Sequence, residues 1–287
     1  MTQPSLGDDP LARLAALPRV AEAVERARDA CTALRWHPLL RRRMEEARAE
    51  SAVRGARASA ALDGAELPLE RVRELLVAQP LSTQEVGGAE ATDAVTRHVV
   101  GALRATLAAA DLGGVLSSAP AQALARLHLA AMSGQDRFDP DLLGRPRPAG
   151  TPPRDLVDLG PAPDGPALAQ RLDGLGRLLT RPTQTPALVL AAVVHGELLA
   201  MRPFSAGNGV VARAVARAVI VARGLDPTGV GVPEVGLLAG GATAYVGAAA
   251  AYATGTPDGV ALWLVQCADA VELGAREGAL LADALRT

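Results

Sequence analysis

The chain has no lysine. All 29 basic residues among its 287 are arginine. That removes every chemistry needing an ammonium or a free amine: the phosphate-loop lysine, the kinase strand lysine and a Schiff base to pyridoxal phosphate. What arginine forks and backbone N–H groups do with phosphate stays open. There is a single asparagine, Asn208, and only six aromatic residues: Trp36, Phe138, Phe204, Tyr245, Tyr252 and Trp263. Six are too few to stack single-stranded bases in series, and a formal net charge of −2 supplies no basic face, so no nucleic-acid partner is expected. Cys31 and Cys267 lie far apart with no paired spacing and read as reduced core residues of a cytosolic protein. The polar, acidic start MTQPSLGDDP does not fit a secretory signal. The longest apolar runs are broken by Arg, Gly or Pro, so no membrane span is expected and a cytoplasmic location is. The excess of Arg, Ala and Gly reads as coding bias.

What is present is helical. Apolar residues recur at helical spacing over 10–35, and a charged run carries the pattern through 38–53, before a short Gly-containing segment. Further helices are predicted at 69–78 and about 90–110, 119–133, 167–180 and 186–201, then 209–223, 241–253 and 259–284. Strand signals are poor: there is one isoleucine, Ile220, and hardly any strict alternation. Residues 139–166 hold eight of the 21 prolines and read as loop or edge hairpin, either a linker or a long loop over a site.

The lone asparagine sits in Arg202-Pro203-Phe204-Ser205-Ala206-Gly207-Asn208-Gly209, where one apolar helix ends and another begins. Glycines let the backbone turn with free N–H groups outward, and the helix dipole adds positive potential, so Gly207, Asn208 and Gly209 form a candidate phosphate cradle. Arg213, one turn into the helix, could add a forked contact. The plain alternative is a helical corner with glycines for close packing and Asn208 as a cap.

This segment resembles the signature of the Fic (Fido-fold) family, H-P-F-x-[D/E]-G-N-G-R-x-x-R, at Pro203, Phe204, Gly207, Asn208, Gly209 and Arg213. His195 matches an upstream family histidine, Leu127-His128 the "LH" helix, and Gly144-Arg145-Pro146-Arg147 the G-x-Y-R turn with Pro for Tyr. The proline-rich stretch falls where the family has its flap, and Tyr245–Trp263 resembles its closing helices. The resemblance implies an all-α Fido fold: a helical bundle with a small β-hairpin flap and an N-terminal helical extension. It divides the chain into an N-terminal helical region, 1–88, and a Fido-like domain, 89–287, with its core at about 119–272. Ser59-Ala60-Ala61-Leu62-Asp63-Gly64 resembles the family's inhibitory motif, S-x-x-x-E-G, with Asp63 for Glu, which implies an Asp63–Arg213 pair. Its plain reading is a helix C-terminus capped by Gly64.

The family transfers AMP from ATP to a protein hydroxyl. By the resemblance, a histidine general base would stand at Arg202, the Mg²⁺-holding acid at Ala206 and a first phosphate arginine at Val210. Arginine stays protonated, so Arg202 cannot take a proton, and losing a general base costs about 10²–10⁴-fold in rate. Ala206 offers no oxygen to Mg²⁺. His195 lies roughly 10 Å further up the helix axis and does not substitute. His37, His98 and His128 lack metal spacing and read as structural, and Arg41–Arg43 as a solvated face. The expected protein is therefore a degenerate Fic protein, impaired in AMP transfer. It would be a regulator binding ATP or another nucleotide through Gly207, Asn208, Gly209, Arg213 and Arg202, or binding a protein partner, with a homo-oligomer compatible. An active nucleotidyltransferase with a non-standard base and a purely structural helical module are the alternatives.

Overall fold

A computed structural model of the chain describes residue 9 and residues 11–78, 93–136 and 138–286. The boundary expected between 88 and 89 lies outside the described residues. Among the described residues there are thirteen α-helices and no strand. The first half comprises α1 (Ala12–Ala15), α2 (Pro18–Arg35), α3 (Leu40–Leu62), α4 (Leu69–Ala78), α5 (Ala94–Ala109), α6 (Gly113–Ser118) and α7 (Pro120–Met132). A long irregular connection leads to α8 (Gly165–Thr180), α9 (Ala187–Met201), α10 (Asn208–Ala222), α11 (Pro233–Ala239), α12 (Gly241–Ala253) and α13 (Pro257–Ala284).

The centre is the α9–α10 pair. In α9 every residue from Leu188 to Met201 except Glu197 is buried, the mark of a helix apolar all round that other helices must cover. In α10 burial is continuous from Asn208 to Ile220, two arginines included. α5, α7 and α3 all pack against α10, and α3 also packs on α5. α13 lies against α9, α11, α12 and α2, burying Val20, Ala23, Val24, Ala27, Cys31 and Leu34 of α2 at helical spacing. Cys31 and Cys267 are buried free thiols.

Three expectations need correction. First, α3 runs on to Leu62 instead of ending near 53. It carries Gly55 through the helix because Glu234 and Arg217 press on that glycine: a Cβ there would meet Glu234 Oε2 at 3.0 Å. Second, the short helices α6 and α11 have too few turns to show a period. Third, the β-hairpin flap is not formed. Residues 139–166 hold two 3₁₀ turns, Pro140–Leu142 and Val157–Leu159, and otherwise irregular chain. Its prolines lack the N–H groups a ladder requires, and its carbonyls are taken by arginine side chains, as described next.

Candidate functional site

α9 ends at Arg202, which takes the left-handed conformation (φ 42°) and turns the chain before Pro203. The loop returns into α10 through Gly207, also left-handed (φ 79°), where a Cβ would lie 2.6 Å from Met132 Sδ. His128 of α7 props this loop. Its ring stacks on Phe204 with centroids 4.0 Å apart, Nε2 donates to Ala206 O at 3.1 Å, and Nδ1 accepts from Gly144 N–H at 2.9 Å. Those partners define a neutral tautomer, and burial pushes the imidazole down to about 4. The structural role expected for His128 is thus a joint between three segments of the resemblance.

Asn208 closes the loop. Its Oδ1 accepts from Phe204 N–H and its Nδ2 donates to Phe204 O, both at 2.9 Å. The cradle at the head of α10 is filled by the chain itself. Asp155 accepts from Asn208 N–H and from Asn208 Nδ2, one bond to each carboxylate oxygen, both at 2.7 Å. A carboxylate here obeys the physics expected for phosphate: an anion on a helix N-terminus. Burial pushes Asp155 up, against the pull of its bonds to Asn208.

Arg202, expected beside the ligand, points into the 144–164 loop. Nη1 donates to Leu156 O at 2.8 Å and Nη2 to Gly160 O at 2.7 Å, while its own carbonyl accepts from Arg147 Nε at 3.0 Å. The left-handed turn aims the side chain at carbonyls that proline-rich backbone leaves free. Arg147 is a buried hub. It donates to Thr151 O, Pro163 O and Asp164 Oδ1 as well, and its N–H donates to Pro203 O at 2.8 Å.

Behind the cradle, Arg213 is fully committed. Nε donates to Ser59 Oγ at 2.8 Å, Nη2 to Ser59 O at 2.9 Å and to Asp63 Oδ2 at 2.6 Å, and Nη1 reaches Tyr245 OH at 3.5 Å. The Asp63–Arg213 pair therefore forms within one chain. The plain reading of Gly64 holds alongside it. Gly64 (φ 82°) closes α3 with Gly64 N–H on Ala61 O and Ala65 N–H on Ala60 O, a Schellman end that fixes Asp63 as the last cap residue. Asp63 Oδ1 lies so close over α10 that a Cβ on Gly209 would sit 2.7 Å from it. Desolvation would raise Asp63, but the Arg213 charge and hydrogen bonds from His98 and Arg213 hold it below the usual carboxylate range. His195, hydrogen-bonded to Tyr245 OH at 2.8 Å, is buried and pushed down to about 3 by desolvation, then by the Arg213 charge. A line of contacts so runs from His195 through Tyr245, Arg213 and Asp63 to half-buried His98, 3.2 Å from Asp63 Oδ2.

Sequence reasoning missed Asp155, the hub role of Arg147 and the place of His98. Asp155 and His98 have no local signal, because their partners lie 53 and 35 residues away, and the Arg147 side chain gathers partners from 4 to 55 residues away that no short motif marks. No group of three or more His, Cys, Asp or Glu able to hold a metal occurs among the described residues. The residues at hand do not fit Mg²⁺ at the position the resemblance implies. Ala206 has no side-chain oxygen, and both Asp155 oxygens accept N–H groups.

No family model matches the chain, and no curated protein does. Solved structures do. A Fic family protein from Desulfovibrio desulfuricans is similar with a TM-score of 0.66 at 19% identity, covering 91% of this chain and 74% of that one. A fragment of Fic-1 from C. elegans is similar with a TM-score of 0.58 at 18% identity, covering 94% of this chain and 73% of that one. At such identity the likeness is one of fold: the chain has the all-α Fic, or Fido, fold.

Proposed function

We propose that this Fic-fold protein is impaired in AMP transfer and acts as a regulator that binds a phosphate-bearing ligand, with a nucleotide as the first candidate. The observation that carries the reading is the contrast at the head of α10. Asn208 gives its N–H and Nδ2 at the helix head to the Asp155 carboxylate, which supports an anion cradle of Gly207, Asn208 and Gly209, while the general-base position is an arginine bound to Leu156 and Gly160 carbonyls. A guanidinium takes no proton from a hydroxyl, and Ala206 supplies no carboxylate. Arg213, kept charged by Asp63, lies within one turn of the cradle and adds positive potential there, its fork being held by Ser59 and Asp63.

The ligand would displace Asp155 from Asn208 N–H and gain the helix-end potential. Binding would depend little on Mg²⁺. Calorimetry with ATP, with and without Mg²⁺, is expected to give the same affinity in both; no heat at millimolar ATP would sink the reading. Mass spectrometry of lysate incubated with the protein and labelled ATP is expected to find no added AMP. An AMP adduct that disappears with Asn208→Ala would instead establish an active transferase.

A further inference from the structure

Residues 144–164 are held in two different ways. Their ends are tied to each other: Arg147 donates to Thr151 O and Asp164, and Asp164 accepts from Gly150 N–H at 2.7 Å. These bonds make no use of the cradle. The apex between Gly150 and Gly160 makes most of its hydrogen bonds to the motif loop; beyond these, Thr151 O accepts from Arg147, the Arg154 guanidinium lies 5.5 Å over the Phe138 ring, and Leu159 is buried beside α12. Arg154 N–H donates to Ser205 O at 2.9 Å, Asp155 takes the two donors of Asn208, and Arg202 holds the Leu156 and Gly160 carbonyls. Gly150 (φ 78°) and Gly160 (φ 75°) flank the apex in left-handed conformations open to glycine.

The closed arrangement carries local costs. Leu156, next to Asp155, sits at φ 53°, a region that side chains avoid. Arg202 Nε and Ser205 Oγ are buried with no hydrogen-bond partner. An apex seated over two unsatisfied polar atoms and a strained residue is poised to leave if its anchor is replaced.

We propose that residues 151–159 form a strap hinged at Gly150 and Gly160, and that Asp155 is its latch, an internal carboxylate that fills the anion cradle until an anionic ligand takes its place. The proposal rests on the anion-binding reading of the cradle and adds its control. Ligand binding and strap opening become one equilibrium, so the ligand's apparent affinity is lowered by the fraction of closed strap. Removing the latch is then equivalent to removing that competition.

Hydrogen exchange read by mass spectrometry tests this on peptides covering 151–160 and 203–210. It is applied to the wild type, Asp155→Ala and Asp155→Asn, alone and with ATP or inorganic phosphate and no divalent metal. The expected result is exchange of the strap peptide faster by about tenfold in Asp155→Ala, with an unchanged far-ultraviolet spectrum and smaller acceleration in Asp155→Asn. In the wild type, ATP or phosphate speeds exchange in the strap and slows it at 203–210, and either ligand binds Asp155→Ala about tenfold more tightly. The asparagine variant supplies the same readouts if the alanine variant is unfolded. Strap exchange unchanged in a folded Asp155 variant, or equal ligand affinity in wild type and variant, overturns the latch. A strap that opens on substitution while neither ligand binds either protein upholds the latch and overturns the ligand reading instead.

Discussion

Two arginines one turn apart on α10 are buried in nearly the same way, and the difference between them separates scaffold from site. Arg213 meets Ser59 and Asp63; Arg217 donates to Ser51 Oγ at 2.5 Å and to Glu234 Oε2 at 2.8 Å. Both serines lie on α3, about two turns apart, so the same helix offers the same hydroxyl to each guanidinium. The carboxylates differ. Glu234 opens α11, with 2% of its side chain exposed, and Arg217 has the Gly229 carbonyl as well. Asp63 caps α3 with 17% exposed, leans over Gly209 and touches His98. One pair is sealed between helices. The other stands beside the head of α10, where a second carboxylate, Asp155, accepts from Asn208.

The sealed pair should be the more expensive to break. Glu234→Ala leaves a buried guanidinium with no carboxylate, a cost of about 3–5 kcal/mol in chemical denaturation. Added phosphate should not recover it. A loss under about 1 kcal/mol would show that Arg217 finds another partner and that the pair is no scaffold.

Acid should find the Arg213 side through its histidine. His195 is buried neutral with its value pushed down to about 3, while an unfolded histidine protonates near the ordinary value of about 6.5. The folded state then binds fewer protons, so this contribution is fully present above about pH 6.5 and is lost as pH falls toward the folded value. At about pH 5 the loss is about 2 kcal/mol per such group. His128, pushed down to about 4, adds a like amount at the motif loop. His195→Gln should remove one share of the slope between neutral pH and about pH 5; an unchanged slope would contradict the burial account.

Asp63→Ala should cost less than Glu234→Ala, about 1–2 kcal/mol, because Arg213 keeps both oxygens of Ser59 and Tyr245 OH, and solvent reaches the vacated place. Here added phosphate is expected to restore part of the loss by binding the exposed fork. Equal phosphate responses in Asp63→Ala and Glu234→Ala would erase the distinction between the two arginines.

How far this was legible in the sequence follows from the range of the contacts involved. The Asn208 loop, the α9–α10 break and the Asp63–Arg213 pair were readable because their residue types sit in a resembling pattern, and Pro203 and Gly207 punctuate it locally. Asp155 was not, since a carboxylate in Pro-Pro-Arg-Asp-Leu looks like any loop acid until the chain brings it onto Asn208 N–H. The run of α3 past 53 was hidden for a similar reason: Gly55 reads as a breaker, but Glu234 and Arg217 occupy the space a side chain would need. At Arg202 the charge was legible and the left-handed turn that directs it was not.

The smallest expected effect is also the closest test of the comparison, because it changes one oxygen in each assembly. Ser59→Ala strips Arg213 Nε of its acceptor within the core and should cost about 1 kcal/mol. In Ser51→Ala, Arg217 Nη2 still has Gly229 O at 3.2 Å, although the Ser51 bond to Gly231 O is lost, and the expected cost is about 0.5 kcal/mol. Neither should alter secondary structure. The sharper reading is ligand response: Ser59→Ala loosens the fork that flanks the cradle and should shift ATP affinity, while Ser51→Ala should leave it alone. If Ser51→Ala moved ATP affinity as much, the two arginines would be one continuous network, and the boundary drawn between scaffold and site would lie below Arg217, not above it.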